Sequence, residues 1–179
     1  MATRSAGRSG RHALPDTEAN EAVAGLYCAQ YEGLVRLSVL LAGDLATAEE
    51  IVQAAFAEMH RAWRGLRSEQ RALQYLRRHV LAGARRYRAA NPGPDRAAWL
   101  ADDPVLASLK RLTGRQLEAL VLRHYAQLPG IEIAEAMGTW PRLVEMHLRH
   151  GLAALDTAAA GGNPPEGPRA VGPDAGEPG

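Results

Sequence analysis

Between Arg71 and Arg88 the chain carries six arginines (71, 77, 78, 85, 86 and 88) and no acid. A guanidinium is a planar fork of donors that keeps its charge, so a row of them suits phosphate oxygens. Tyr75 and Tyr87 fall in the same stretch. An aromatic ring beside arginines offers a surface on which an unpaired base can stack, and the same rings would serve equally well as core. A second constellation is Ala134, Gly138 and Val144, at offsets of four and six. This matches a helix-turn-helix: a small residue where two helices touch, a glycine free to take a positive φ, and an apolar anchor in the second helix. A plain helical hairpin would satisfy the same three positions. The second helix, capped by Thr139, offers Trp140, Arg142, Leu143, Glu145, Met146 and Arg149 to its surroundings. Arg142 and Arg149 suit phosphate or guanine. Glu145 repels phosphate unless it accepts a hydrogen bond from a cytosine amino group. Trp140 and Met146 are side chains more typical of protein contacts.

Other chemistries are poorly supplied. Cys28 is the sole cysteine, which excludes an internal disulfide and any multi-cysteine metal site; its expected place is the core. His147 and His150 lie one helical turn apart, but no carboxylate or cysteine completes a metal site. There is no Gly-rich phosphate loop, no nucleophile elbow and no pair of metal-type carboxylates. The reading is therefore a binding protein, not an enzyme, with no cofactor, no metal and no small-molecule substrate. The apolar run Leu37 to Ala42 is too short to span a bilayer. No apolar stretch follows the arginines of the first eleven residues, so no secretory signal is expected and the location expected is the cytoplasm. A net charge of +1 says little; its distribution says more.

These residues need helices to position them, and the pattern supplies nothing else. Leu26, Leu34, Leu37, Leu40 and Leu41 mark a helix over about 22–42, and Gly43-Asp44 ends it. Val52, Phe56, Met59 and Trp63 mark a second over 46–64, with Thr47 and Glu50 spaced as a capping box. Leu73, Leu76, Val80, Ala84 and Tyr87 form the apolar stripe of a third over 69–89, with most of its arginines off the stripe. Asn91-Pro92-Gly93-Pro94-Asp95 cannot continue a helix. A short helix around Val105, Leu106 and Leu109 follows. Thr113 and Gln116 then cap a helix through Leu117, Leu120, Val121 and His124, which Leu128-Pro129 breaks before the helix-turn-helix. The expected fold is all-α: two small helical domains, 21–90 and 105–156, joined by a flexible linker over 91–104. The Arg- and Gly-rich residues 1–20 and the Pro/Gly-rich residues 157–179 read as disordered tails.

Across about 26–155 this order of parts resembles the extracytoplasmic-function (ECF) sigma factors of RNA polymerase, with an actinobacterial-like Arg and Ala bias. Tyr31-Glu32-Gly33-Leu34-Val35-Arg36-Leu37 with Gly43-Asp44 resembles the family's opening helix and turn. Ala48-Glu49-Glu50-Ile51-Val52-Gln53-Ala54-Ala55-Phe56 is similar to its polymerase-binding segment. Ala72-Leu73-Gln74-Tyr75-Leu76-Arg77-Arg78 resembles the start of its promoter-melting helix. Leu112 to Tyr125 and Ile131 to Gly138 are similar to the first helices of its C-terminal domain. The resemblance implies a region 2-like first domain, which docks on core RNA polymerase through Glu49, Glu50, Gln53 and Phe56. It implies contact with the −10 promoter element through Arg71, Tyr75, Arg77, Arg78, Arg85 and Arg86. It implies a region 4-like second domain that sets Thr139, Trp140, Arg142, Glu145, Met146 and Arg149 against the −35 element. It also implies an anti-sigma factor as a partner.

The sequence departs from the family pattern where DNA is read. Ala82 stands where an asparagine is common. In the last helix Arg142, Leu143, Glu145 and Met146 replace the usual glycine, threonine, lysine and serine, while the apolar frame is kept. Ala54 stands where the polymerase-facing helix often has an acid. The leading reading is a sigma factor directing promoter-specific initiation. The alternatives are a sigma-like protein that binds polymerase, an anti-sigma factor or another regulator without reading promoters, and a stand-alone helix-turn-helix regulator.

Overall fold

The computed structural model describes residues 14–66, 68–92 and 108–159, and among them all regular structure is helical, without a strand. Helix α1 spans Leu14–Ala42, so it begins inside the stretch expected to be a tail. Leu26, Leu34, Leu37 and Leu41 face inward. Cys28 is exposed, which corrects the expectation of a core thiol: two residues beyond buried Leu26, it is turned about 200° around the helix. Gly43, at φ 83°, ends α1 with its N–H donated to the Val39 carbonyl at 2.7 Å.

Helix α2, Leu45–Leu66, starts on Asp44, whose carboxylate accepts from the Thr47 N–H at 2.7 Å. The cap is thus Asp44, not the Thr47–Glu50 box that the spacing predicted. Asp44 lies three residues before an orphan N–H of the first turn and fills the capping position. Helix α3, Glu69–Ala90, begins at Ser68, whose hydroxyl accepts from the Arg71 N–H. Its buried face is Ala72, Leu76, Val80, Leu81, Gly83 and Ala84. Gly83 lets α3 lie close on α2: a Cβ there would stand 2.7 Å from Cγ2 of Ile51.

In the second half a 3-10 turn, Leu109–Arg111, leads to α4, Gly114–Leu120, which starts with the expected capping box of Thr113 and Gln116. The chain then widens into a π turn, Val121–Tyr125, and leaves it through Gln127 at φ 54°. Helix α5, Gly130–Met137, closes on Gly138 at φ 64°. The Gly138 N–H donates to the Glu135 carbonyl and the Thr139 N–H to the Ala134 carbonyl. Thr139 therefore finishes α5 in a Schellman-type closure instead of capping the next helix. That helix, α6, spans Pro141–Ala159, and the Trp140 carbonyl accepts from Leu143 and Val144. Proline in the first helical position loses nothing, because its missing N–H would have had no intrahelical partner.

The two halves pack together. Buried residues of both belong to one hydrophobic cluster, in which α3 meets α5 and α1 meets the π turn. The expected helix around Val105 and Leu106 and most of the expected linker lie outside the described residues, as do 1–13 and 160–179.

Candidate nucleic-acid interface

The arginines of α3 divide into two sets. Arg71, Arg78 and Arg86 are exposed. Arg77, Arg85 and Arg88 turn toward the second half and meet its acids. Arg77 Nη1 lies 3.4 Å from Glu132 of α5. Burial lowers the Arg77 guanidinium from its ordinary value, and the charge of Glu132 works against that shift. Arg85 donates to both oxygens of Glu118 in α4, at 2.7 to 3.0 Å, and to the Met137 carbonyl at 3.2 Å. Arg88 donates to Glu118 at 2.5 Å and to the Leu41 carbonyl at 2.9 Å. Gln74 of α3 donates to Glu135 of α5 at 3.0 Å.

Glu118 was not singled out by the sequence, and it is 1 % exposed. Its only sequence signal is an acid inside the otherwise apolar run Leu117 to Leu122. A carboxylate so buried requires opposite charge and hydrogen bonds around it. Here Arg85 and Arg88 supply both, with Arg115 at 3.6 Å.

Tyr75, a candidate stacking surface, is part-buried against the core. Its ring lies 3.8 Å from that of His79, centre to centre, and nearly parallel. His79 Nδ1 in turn sits 2.9 Å from the Tyr75 carbonyl. On α2, Glu49, Glu50 and Gln53 are exposed along one face. Phe56, seven residues after Glu49, lies at the edge of that face where α1 covers it. It is 5 % exposed and packs against Tyr27 and Tyr31 of α1, so its part is to hold α2 in place. Beside Glu50 a cleft of about 350 Å³ runs between α2 and α3, lined by Ile51, Ala54, His79, Gly83 and Arg86.

The helix-turn-helix geometry is present. Ala134 and Val144 are buried, and Gly138 makes the turn. Of the residues expected on the reading face, Arg142, Glu145 and Arg149 are exposed and Met146 is part-buried. Thr139 is part-buried in the turn, and Trp140 is 71 % exposed. Glu145 leans toward the start of α5: its Oε1 lies 3.4 Å from Nη2 of Arg123 and 3.2 Å from where a Cβ on Gly130 would stand. A carboxylate at that end of a helix meets the positive end of the backbone dipole, which gives this acid a role within the fold.

Among the described residues no cluster of histidine, cysteine or acidic side chains could hold a metal ion, and no helix is long and apolar enough to cross a membrane. No family model and no curated protein matches the sequence. Among solved structures, that of CnrH in complex with the cytosolic domain of CnrY is similar, at a TM-score of 0.65 and 21 % identity, covering 83 % of this chain and 98 % of that chain. At this identity the likeness is one of fold.

Proposed function

We propose that this chain is an ECF-type sigma factor that binds core RNA polymerase in the cytoplasm and directs initiation at a particular promoter set. The observation that carries the reading is the fold likeness to CnrH over nearly all of that chain. Three exposed surfaces support it at the positions the family resemblance requires. The face of Glu49, Glu50 and Gln53 on α2 is the polymerase contact, with the neighbouring α2–α3 cleft open beside it. Arg71, Arg78 and Arg86 on α3 hold the promoter backbone near −10 through charge. Arg142 and Arg149 of α6 hold the −35 region, and Met146 and Trp140 give that contact an apolar character unusual for DNA. The activity is one of binding and placement, with no catalytic group of its own. A regulatory partner of the anti-sigma kind fits the same reading, since CnrH itself is seen with the cytosolic domain of CnrY.

A second reading is favoured by one observation. Trp140 and Ile131, at 71 % and 62 % exposed, stand at the starts of the two helix-turn-helix helices. Such residues suit a protein partner, so the second half then serves regulation and reads no promoter.

The test is co-elution of the purified chain with core RNA polymerase stripped of sigma, followed by transcription from genomic fragments. Co-elution with initiation at discrete sites is expected. Co-elution without initiation would favour the second reading. A folded chain that fails to co-elute would end the sigma-factor reading and leave a sigma-like regulator with another partner or a stand-alone helix-turn-helix regulator.

A further inference from the structure

The arginines that face the second half are the least expected feature of α3. A helix meant for phosphate should leave its guanidiniums free. Instead the side chains of Arg77, Arg85 and Arg88 are 18 %, 30 % and 13 % exposed and are held by carboxylates of the other half. Those carboxylates, Glu118 and Glu132, lie on two different helices, and Glu135 joins them through Gln74. Glu118 and Glu132 present oxygen acceptors to guanidiniums, as a phosphate would, and Glu135 accepts from the Gln74 amide.

We propose that Glu118, Glu132 and Glu135 act as an internal stand-in for the nucleic-acid backbone, latching the second half over part of α3, and that this latch must open before α3 binds DNA with its full charge. This rests on the reading of α3 as a DNA-binding helix. In the closed form Arg71, Arg78 and Arg86 remain available, so binding is weak and weakly salt-dependent. Opening releases Arg77, Arg85 and Arg88 from the carboxylates of the second half. With each neutralised phosphate adding about 0.7 to the slope of log K against log salt on single strands, the slope should steepen by about 2.

The experiment measures fluorescence anisotropy of a labelled forked DNA, over a salt series, with the full chain in a Cys28→Ser background. Glu118→Gln combined with Glu132→Gln should bind at least tenfold tighter, with the steeper slope. Glu132→Gln with Glu135→Gln should give a smaller gain in the same direction; this pair sits on a less buried part of the contact and serves if the first variant is unfolded. Gln74→Cys with Glu135→Cys, joined by a short bismaleimide, holds the halves together without removing Glu118. Joining should abolish any gain from added Glu118→Gln. An equal gain from Glu21→Gln with Glu58→Gln, both exposed acids, would overturn the latch by reducing it to net charge. Unchanged affinity and slope in the acid variants would overturn it too. In that event, loss of binding on Arg71→Ala with Arg78→Ala leaves α3 as a DNA helix, whereas no loss ends that reading as well.

Discussion

Arg85 lies flat against Glu118 across the junction of the two halves, its Nε reaching both carboxylate oxygens at 2.9 and 3.0 Å and its Nη2 reaching Oε2 at 2.7 Å. A forked donor on a buried carboxylate is among the stronger polar contacts a protein makes. The cost of burying Glu118 is nevertheless large, and drawing it away from Arg85 and Arg88 would leave a buried charge short of its partners. The pair therefore ties the halves more by penalising separation than by net attraction. A double-mutant cycle on Arg85→Ala and Glu118→Ala, read from urea midpoints, should give a coupling of about 1–3 kcal/mol. The same cycle on Arg123 and Glu145, whose side chains are 37 % and 63 % exposed, should give less than about 1 kcal/mol. Equal couplings would mean that burial does not govern these pairs.

Close packing of α3 on α2 gives a second expectation. Gly83→Ala adds a methyl 2.7 Å from Cγ2 of Ile51, and a β-branched side chain in a helix has little freedom to turn away. Alanine alone would favour the helix by about 1 kcal/mol. Overpacking costs about 1–3 kcal/mol and should win. Thermal denaturation should show a lower midpoint, and adding Ile51→Ala to the variant should recover part of it by making room. A stabilised Gly83→Ala would show that the two helices can separate without loss.

Much of this architecture is legible in the sequence. The apolar spacing of α2 and α3, the Thr113–Gln116 box and the glycine of the helix-turn-helix all act locally, within a turn or two of chain. What escapes is what depends on a distant partner. Glu118 sits in an apolar run that reads as core, and nothing local says that arginines 30 and 33 positions earlier will meet it. Phe56 falls on the apolar stripe by its spacing from Val52 and Met59 and on the polymerase contact by the family resemblance, and Tyr27 and Tyr31 of another helix bury it. The cap of α2 lies three residues before the expected Thr47 because Asp44 and Thr47 are both good caps, and only the preceding turn at Gly43 selects between them.

The cap on α2 also carries a pH signature. The hydrogen bond from Thr47 holds the Asp44 carboxyl below its ordinary range. A carboxyl depressed in the folded state contributes stability that is complete above its unfolded value, about 4, and that is lost as pH falls through the folded value. Asp44→Asn keeps a capping oxygen but not the charge. Its urea midpoint should fall below that of the parent at neutral pH, with the gap closing in acid. A gap that stays constant from neutral pH into acid would rule out the ionised cap.

Glu145→Lys tests whether α6 meets DNA. The exposed pair with Arg123 is worth less than about 1 kcal/mol, so the fold should survive with a small loss. Reversing the charge removes a repulsion from phosphate and takes the carboxylate away from Arg123. Affinity for duplex DNA should rise several-fold at low salt, and the gain should shrink as salt increases. Unchanged affinity across the salt series would favour Trp140 and Met146 as contacts for a protein partner instead.

Two left-handed positions in the second half hold opposite kinds of residue. Gly138 turns the chain between α5 and α6 at φ 64°, and Gln127 leaves the π turn at φ 54°. A side chain in this region costs about 1–2 kcal/mol. A Cβ on Gly138 would meet nothing within 4 Å, so the loss in Gly138→Ala is conformational alone and should fall in that range. Gly138→Asn should lose less, because asparagine tolerates this region better than alanine. Gln127→Gly should move the other way, relieving strain at the cost of the hydrogen bond from its side chain to the His124 carbonyl. That bond is exposed and worth little against water, so a net gain of about 0.5–1 kcal/mol is expected in chemical denaturation. A destabilised Gln127→Gly would mean that the side-chain bond, and not the backbone angle, sets the exit from the π turn.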